Sequence, residues 1–263
     1  MPEGAGRDDG KAARLLVVPL GTLPYAAALD LQRAIARARI SGDIDDDVLL
    51  LVEHPPVVTL GRSSKDAHLV ASDALLEARG VERFEVDRGG DVTFHGPGQL
   101  VGYPILDLKR HKQDLHWYLR QLEESLIVAL RDFGITATRN AGYTGVWVDA
   151  RKLASIGVHA RDWVTWHGFA LNVSTDLSYF DLIVPCGIQG VDMTSVAREV
   201  ASRGGATPPV MQGVADAVVQ AFAHCFGLEA VRETLESVLP PHAEWWPTQR
   251  AEPLRDGTMG SVP

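Results

Sequence analysis

The sharpest change of pattern in this chain falls at Gly134, and it limits the folds available more than any other feature. Before it, Leu115, Leu119, Leu122, Leu126 and Leu130 recur at steps of three and four and line one helix face, with Asp114 placed to cap the start and Gly134 to end it. After it the apolar step becomes two. "GVWVDARKLASIGVHA" reads as a hairpin turning near Asp149, Ala150 and Arg151, and "WVTWHGFALNV" as the next strand. Elsewhere, Leu31, Ile35 and Ala38 mark a helix before Ser41-Gly42, and "DVLLLVEHPPVVTLG" divides into two short strands at Pro55-Pro56. Val214, Val218, Ala221, Phe222 and Cys225 mark a last long helix. Helices mixed irregularly with hairpins argue against a regular β-α-β repeat. The expectation is an α+β fold, a single domain of mixed and antiparallel sheets with flanking helices.

Residues 1–13 are Gly-rich and polar, and 240–263 are rich in Pro, Gly and charge. Both read as tails, a flexible extension and a Pro/Gly-rich end where Trp245 and Trp246 are candidates to dock, leaving one domain at 14–239. No apolar run approaches the roughly 18 residues of a spanning helix, and the first residues hold no signal-peptide core, so the cytoplasm is the expected compartment. The net charge of -9 opposes wholesale binding to nucleic acid or an anionic membrane. Two cysteines without a CxxC or Cys/His cluster predict reduced thiols and no metal site.

Those two cysteines stand in different settings. Cys225 falls on the apolar face of the last helix, as a small core residue would. Cys186 lies in "VPCGI", between a proline that restricts the backbone and a glycine that frees it, where functional side chains concentrate. The stretch "RGGDVTFHGPGQLVGYP", Arg88 to Pro104, packs five glycines and two prolines around Arg88 and His95. Its spacing is neither a GxxxxGK[ST] phosphate loop nor a GxGxxG turn, and it reads as a loop that lets a ligand lie against backbone N–H groups. Lys152, one of only five lysines, opens "KLASIGV", where alternation sets it on the apolar face with Ala154, Ile156 and Val158. A lysine withdrawn from water gives up its proton more readily, and its charge favours thiolate on a neighbouring cysteine. His95 and His167, each beside a glycine, are rival bases, and the sequence does not rank the three. His54, His111, His116, His159 and His224 read as residues that cap, pack or face solvent.

In this order, "RGGDVTFHGPGQLVGYPILDL", "RKLASIG", "HGFALNV" and "IVPCGI" resemble the lipoyl(octanoyl) transferase family of lipoate biosynthesis, related in fold to lipoate-protein and biotin-protein ligases. The resemblance spans about residues 15 to 200. It implies that Cys186 is the acyl-carrying nucleophile and Lys152 its partner. It further implies substrate contacts from Arg88, Gly89, Gly90, Asp91, Val92, Thr93, Phe94 and His95, from Ser155, Ile156 and Gly157, and from Gly168, Phe169 and Ala170. The implied donor is octanoyl-acyl carrier protein, and the implied acceptor is a lysine of lipoyl domains in oxo-acid dehydrogenases or the glycine-cleavage protein, with no cofactor. Leu153, where isoleucine is frequent, is a mild departure. Backbone N–H groups near Gly168 to Ala170 and around Cys186 are the expected oxyanion donors. Alternative readings are an ATP-dependent lipoate-protein ligase of the same fold and a non-catalytic carrier-protein binding module. An acidic enzyme with acidic protein substrates calls for a local positive field, and Lys109, Arg110, Lys112 and Arg62 are the candidates, with Arg139 and Arg151 next.

Overall fold

Strand β1 (Arg14–Thr22) is followed by helix α1 (Tyr25–Ser41), β2 (Asp47–Glu53) and β3 (Val57–Leu60). Helix α2 (Asp73–Ala78) leads to β4 (Glu82–Glu85), β5 (Val92–His95), β6 (Gln99–Ile105) and α3 (Leu115–Leu130). A meander of β7 (Thr138–Asn140), β8 (Tyr143–Val148), β9 (Arg151–Arg161) and β10 (Val164–Asn172) comes next. Then follow β11 (Asp192–Met193), α4 (Val196–Ser202), α5 (Met211–Phe226), β12 (Glu229–Arg232) and α6 (Leu235–Val238). This computed structural model of the chain describes residues 13–205, 207 and 209–239. Both tails apart from Ala13, and with them Trp245 and Trp246, lie outside the described residues.

Nine strands share one sheet, ordered β12-β1-β2-β6-β10-β9-β8-β7 with β11 beside the start of β9; the others form a small sheet, β4-β3-β5. Strand β1 runs parallel to both neighbours, whereas the path from β2 to β7 is antiparallel throughout. The mixed α+β architecture expected from the alternation is the one observed. Pro55 and Pro56 carry the chain from the large sheet into the small one, because neither can donate to a continuing ladder.

The central strands of the large sheet, β2, β6 and β10, are buried on both faces. Along β2, Leu49 and Leu51 face helices α3 and α5, while Val48, Leu50 and Val52 face α1. Burying each such side chain stabilises the fold by about 1.5–3 kcal/mol. Helix α3 starts where Asp114 predicts, its carboxylate accepting from the Trp117 N–H at 3.0 Å. Its leucine face divides. Leu122, Leu126 and Leu130 join the core, but Leu115 and Leu119 emerge beyond the sheet and line a cavity. No helix among the described residues is long and apolar enough to cross a membrane.

Candidate active site

Cys186 sits on a single 3-10 turn, Pro185–Gly187, in left-handed backbone with φ 56 and ψ 20. A residue with a β-carbon adopts that conformation at a cost of about 1–2 kcal/mol, so the turn must be held from outside. Val184 N–H donates to the His68 carbonyl at 2.7 Å, Gly187 N–H to Val184 and Ile188 N–H to Pro185.

Lys152 arrives from the start of β9 through an irregularity. The β8–β9 register slips by one residue between Val146↔Ala154 and Trp147↔Lys152, leaving Leu153 without an opposite number. Leu153 and Ala154 therefore both enter the core beside α3, and Lys152 shares a side with Ser155. Strict alternation, which aligns Lys152 with Ala154, Ile156 and Val158, fails at this one bulged residue. The lysine is buried all the same, 1% exposed, and its Nζ donates to Cys186 Sγ at 2.9 Å. Ser155 Oγ lies 3.8 Å from the same sulfur.

Neither rival histidine reaches the thiol. His95 Nδ1 bonds Gln99 Oε1 at 2.8 Å, and His167 Nε2 bonds Asp87 Oδ1 at 2.8 Å. Burial, aided by neighbouring His54, pushes His95 down to about 3, so its ring is neutral at physiological pH. Burial likewise lowers His167, against the opposing pull of the Asp87 carboxylate. Of the other histidines, His54 is buried between the Leu23 carbonyl and the Tyr103 hydroxyl, which is a packing role.

Cys186 and Lys152 open onto a cavity of about 380 Å³. Arg88, Gly89, Gly90, Asp91, Thr93, His95, His167, Ser155, Ile156, Gly157, Gly168, Phe169 and Ala170 all line it. Val92 and Phe94 do not: on β5 they alternate away from it into the core beneath the small sheet. Arg88 is 7% exposed, donates to the Thr59 carbonyl and hydroxyl and to the Gly89 carbonyl, and keeps a buried Nε without a partner. Desolvation lowers the pKa of its guanidinium. The expected oxyanion donors on β10 are spoken for, since Phe169 and Ala170 pair with β6 on one side and β9 on the other. Apolar side chains supply much of the remaining wall, among them Val101, Leu119, Ile156 and Phe169. The arrangement offers a thiol beside a buried amine at the edge of a space suited to an aliphatic chain.

A family model described as the lipoyl protein ligase A/B catalytic domain matches residues 24–223. The chain belongs to that family. An octanoyltransferase of Gloeobacter violaceus is 46% identical over 227 residues, which cover 86% of this chain and 96% of that protein. An octanoyltransferase of Solibacter usitatus is 57% identical over 169 residues, 64% of this chain and 76% of that protein. Among solved structures, lipoate-protein ligase A bound with ATP matches with a TM-score of 0.67 at 18% identity, over 87% of this chain and 93% of that one. At that identity the likeness establishes the lipoate-protein ligase fold and nothing of the chemistry.

In this member of the lipoyl protein ligase A/B family, two residues that the apolar spacing does not single out flank Lys152, and a third holds one of them. Trp147, its cross-strand neighbour, holds its ring centroid 5.4 Å from Nζ. Gly145, at φ +135, leaves the space that the lysine stem fills. Glu123, fully buried on α3, accepts from the Gly145 N–H at 3.1 Å and from Arg139 at 3.0 Å. A glycine inside a strand and a glutamate beside a buried leucine face are the sequence signals for the last two. Among the docking candidates, Arg139 is held by Glu123 and Glu124, Arg151 by Glu199 and Asp149, and Lys112 by Asp114. Exposed Arg62 stands beside the cavity loop, where its N–H donates to the Arg88 carbonyl.

Proposed function

We propose that this chain is an octanoyltransferase that works through an acyl-enzyme on Cys186, with octanoyl-acyl carrier protein as donor and a lipoyl-domain lysine as acceptor. The single observation that carries the mechanism is the 2.9 Å contact between Lys152 Nζ and Cys186 Sγ at the cavity. Lys152 takes the thiol proton, the thiolate attacks the thioester carbonyl, and the carrier thiol departs with a proton as the S-octanoyl bond forms. The acceptor amine then attacks the new thioester. Lys152 receives a proton from that nitrogen, the C–S bond breaks, and the Cys186 thiol is restored as the amide forms.

Thioester to amide runs downhill, so no nucleotide is consumed. Eight carbons at about 0.8 kcal/mol per buried methylene offer at most about 6 kcal/mol, enough for the apolar wall to select chain length. An adenylating ligase on the same fold has no use for a thiol pressed against a buried lysine. The deciding experiment supplies octanoyl carrier protein and a lipoyl domain of an oxo-acid dehydrogenase or glycine-cleavage protein, with and without ATP. Octanoylated domain without ATP is the expected product. Transfer of free octanoate only in the presence of ATP would establish the ligase reading, and carrier binding with neither reaction would establish a binding module.

A further inference from the structure

We infer that Asp91, held by His68, forms the subsite that receives the acceptor lysine as an ammonium ion. This rests on the acyl-transfer reading and adds the recognition of its second substrate. A lysine side chain titrates near pH 10.4, so the acceptor arrives as a cation, and it gives one proton to solvent before its amine attacks. The cavity it must enter already holds the guanidinium of Arg88, and like charge resists entry. Asp91 is the one acidic side chain among the described residues that line this cavity.

Geometry fixes Asp91 close to the nucleophile. A β-carbon on Gly187, the residue after Cys186, would lie 2.6 Å from Asp91 Oδ2 and 3.0 Å from His68 Cε1. Asp91 Oδ1 accepts from the Val92 N–H at 2.7 Å, and Oδ2 pairs with His68 Nδ1 at 2.7 Å. The His68 carbonyl also anchors the turn that carries Cys186, through Val184 N–H. One segment thus fixes the carboxylate and the sulfur relative to each other. A carboxylate has about four lone-pair positions, and these two bonds leave room for an ammonium to donate into the cavity. The carboxyl side chain is 11% exposed, so water screens that attraction weakly.

Two structural roles compete with this one. Asp91 could balance the buried charge of Arg88, which it approaches without forming an ion pair, or brace the Cys186 turn. Either would impair acylation of Cys186 and discharge of the acyl-enzyme alike. Recognition of an ammonium instead touches only the step that uses one.

The test is made on the full chain carrying Asp91→Asn, Asp91→Glu or His68→Gln. It follows three rates: acyl-enzyme formation from octanoyl carrier protein, transfer to a lipoyl domain, and discharge by hydroxylamine, which is uncharged near pH 7.5. Asp91→Asn is expected to lower kcat/KM for the lipoyl domain at least about tenfold more than either other rate, chiefly through KM, since a charged hydrogen bond is lost. Asp91→Glu should recover part of that loss, and His68→Gln should show a smaller loss of the same selectivity. Parallel decline of all three rates, or no selective loss in Asp91→Asn, overturns the subsite. A wild-type chain that forms no acyl-enzyme overturns the transfer reading itself and is seen before any variant is made.

Discussion

Gly145 and Lys152 compete for one space: a β-carbon on Gly145 would lie 2.9 Å from Lys152 Cε and 2.5 Å from the Ala154 carbonyl oxygen. Backbone cannot retreat as a flexible side chain can, so Gly145→Ala is expected to destabilise the fold by about 1–3 kcal/mol and to push the lysine off the sulfur. Acyl-enzyme formation in the folded variant should slow at least about tenfold, measured by rapid quench beside a urea melt. Wild-type acylation by a folded Gly145→Ala protein would show that the contact is not needed.

The left-handed backbone at Cys186 makes a stability prediction. Cys186→Gly removes the β-carbon penalty and should exceed Cys186→Ala in stability by about 1 kcal/mol, with neither able to form acyl-enzyme. Urea midpoints compare the two. Equal midpoints would mean that the turn carries no strain. Cys225 is a half-buried thiol whose pKa burial raises, so an alkylating reagent near pH 7.5 should mark Cys186 well before it.

Acid should weaken the fold through its buried histidines. Burial lowers His54 to about 4 and His95 to about 3, whereas both titrate near 6.5 in an unfolded chain. The unfolded state therefore binds protons first as pH falls. The stability tied to each neutral ring is complete above about pH 6.5 and declines by about 1.4 kcal/mol per pH unit down toward 4. Urea melts at pH 7, 6 and 5 should show the slope, and His54→Gln should remove about one histidine's share. An unaltered slope in that variant would contradict the assignment.

Much of this site is legible in the chain itself, and what is not legible has physical causes. Cys186 stood out by its scarcity and its Pro185 and Gly187 neighbours, and the glycines after Arg88 marked the cavity loop. Apolar spacing located α3, the β8–β9 hairpin and β10, because burial on one face repeats with the period of each element. It misplaced the face of Lys152, since the bulge at Leu153 depends on how β8 pairs and leaves no trace in hydrophobicity. The family resemblance implicates Val92 and Phe94 with the rest of their segment, although a strand offers a cavity only alternate residues and these two face the core. Asp91 with His68, and Glu123 with Gly145, are contacts between segments about twenty residues apart that no local pattern encodes.

Encounter with an acidic carrier protein should depend on cations that carry no ion pair among the described residues, Arg62 beside the cavity loop and Lys109 after β6. Arg62→Glu combined with Lys109→Glu is expected to lower kcat/KM for octanoyl carrier protein several-fold at low salt, with the loss shrinking as salt rises. Octanoyl-coenzyme A, too small to span the patch, should be turned over as by the wild type. Equal loss on both donors would remove these residues from the docking surface.

Mass spectrometry of the intact chain after mixing with octanoyl-acyl carrier protein, without acceptor or ATP, tests the central claim most directly. The account predicts one octanoyl group per wild-type chain, mapped by peptide analysis to Cys186, kept by Cys225→Ala and lost in Cys186→Ala. An octanoyl adduct that persists on Cys186→Ala, or a wild-type chain that transfers octanoate to a lipoyl domain while never carrying it, would contradict the acyl-enzyme mechanism.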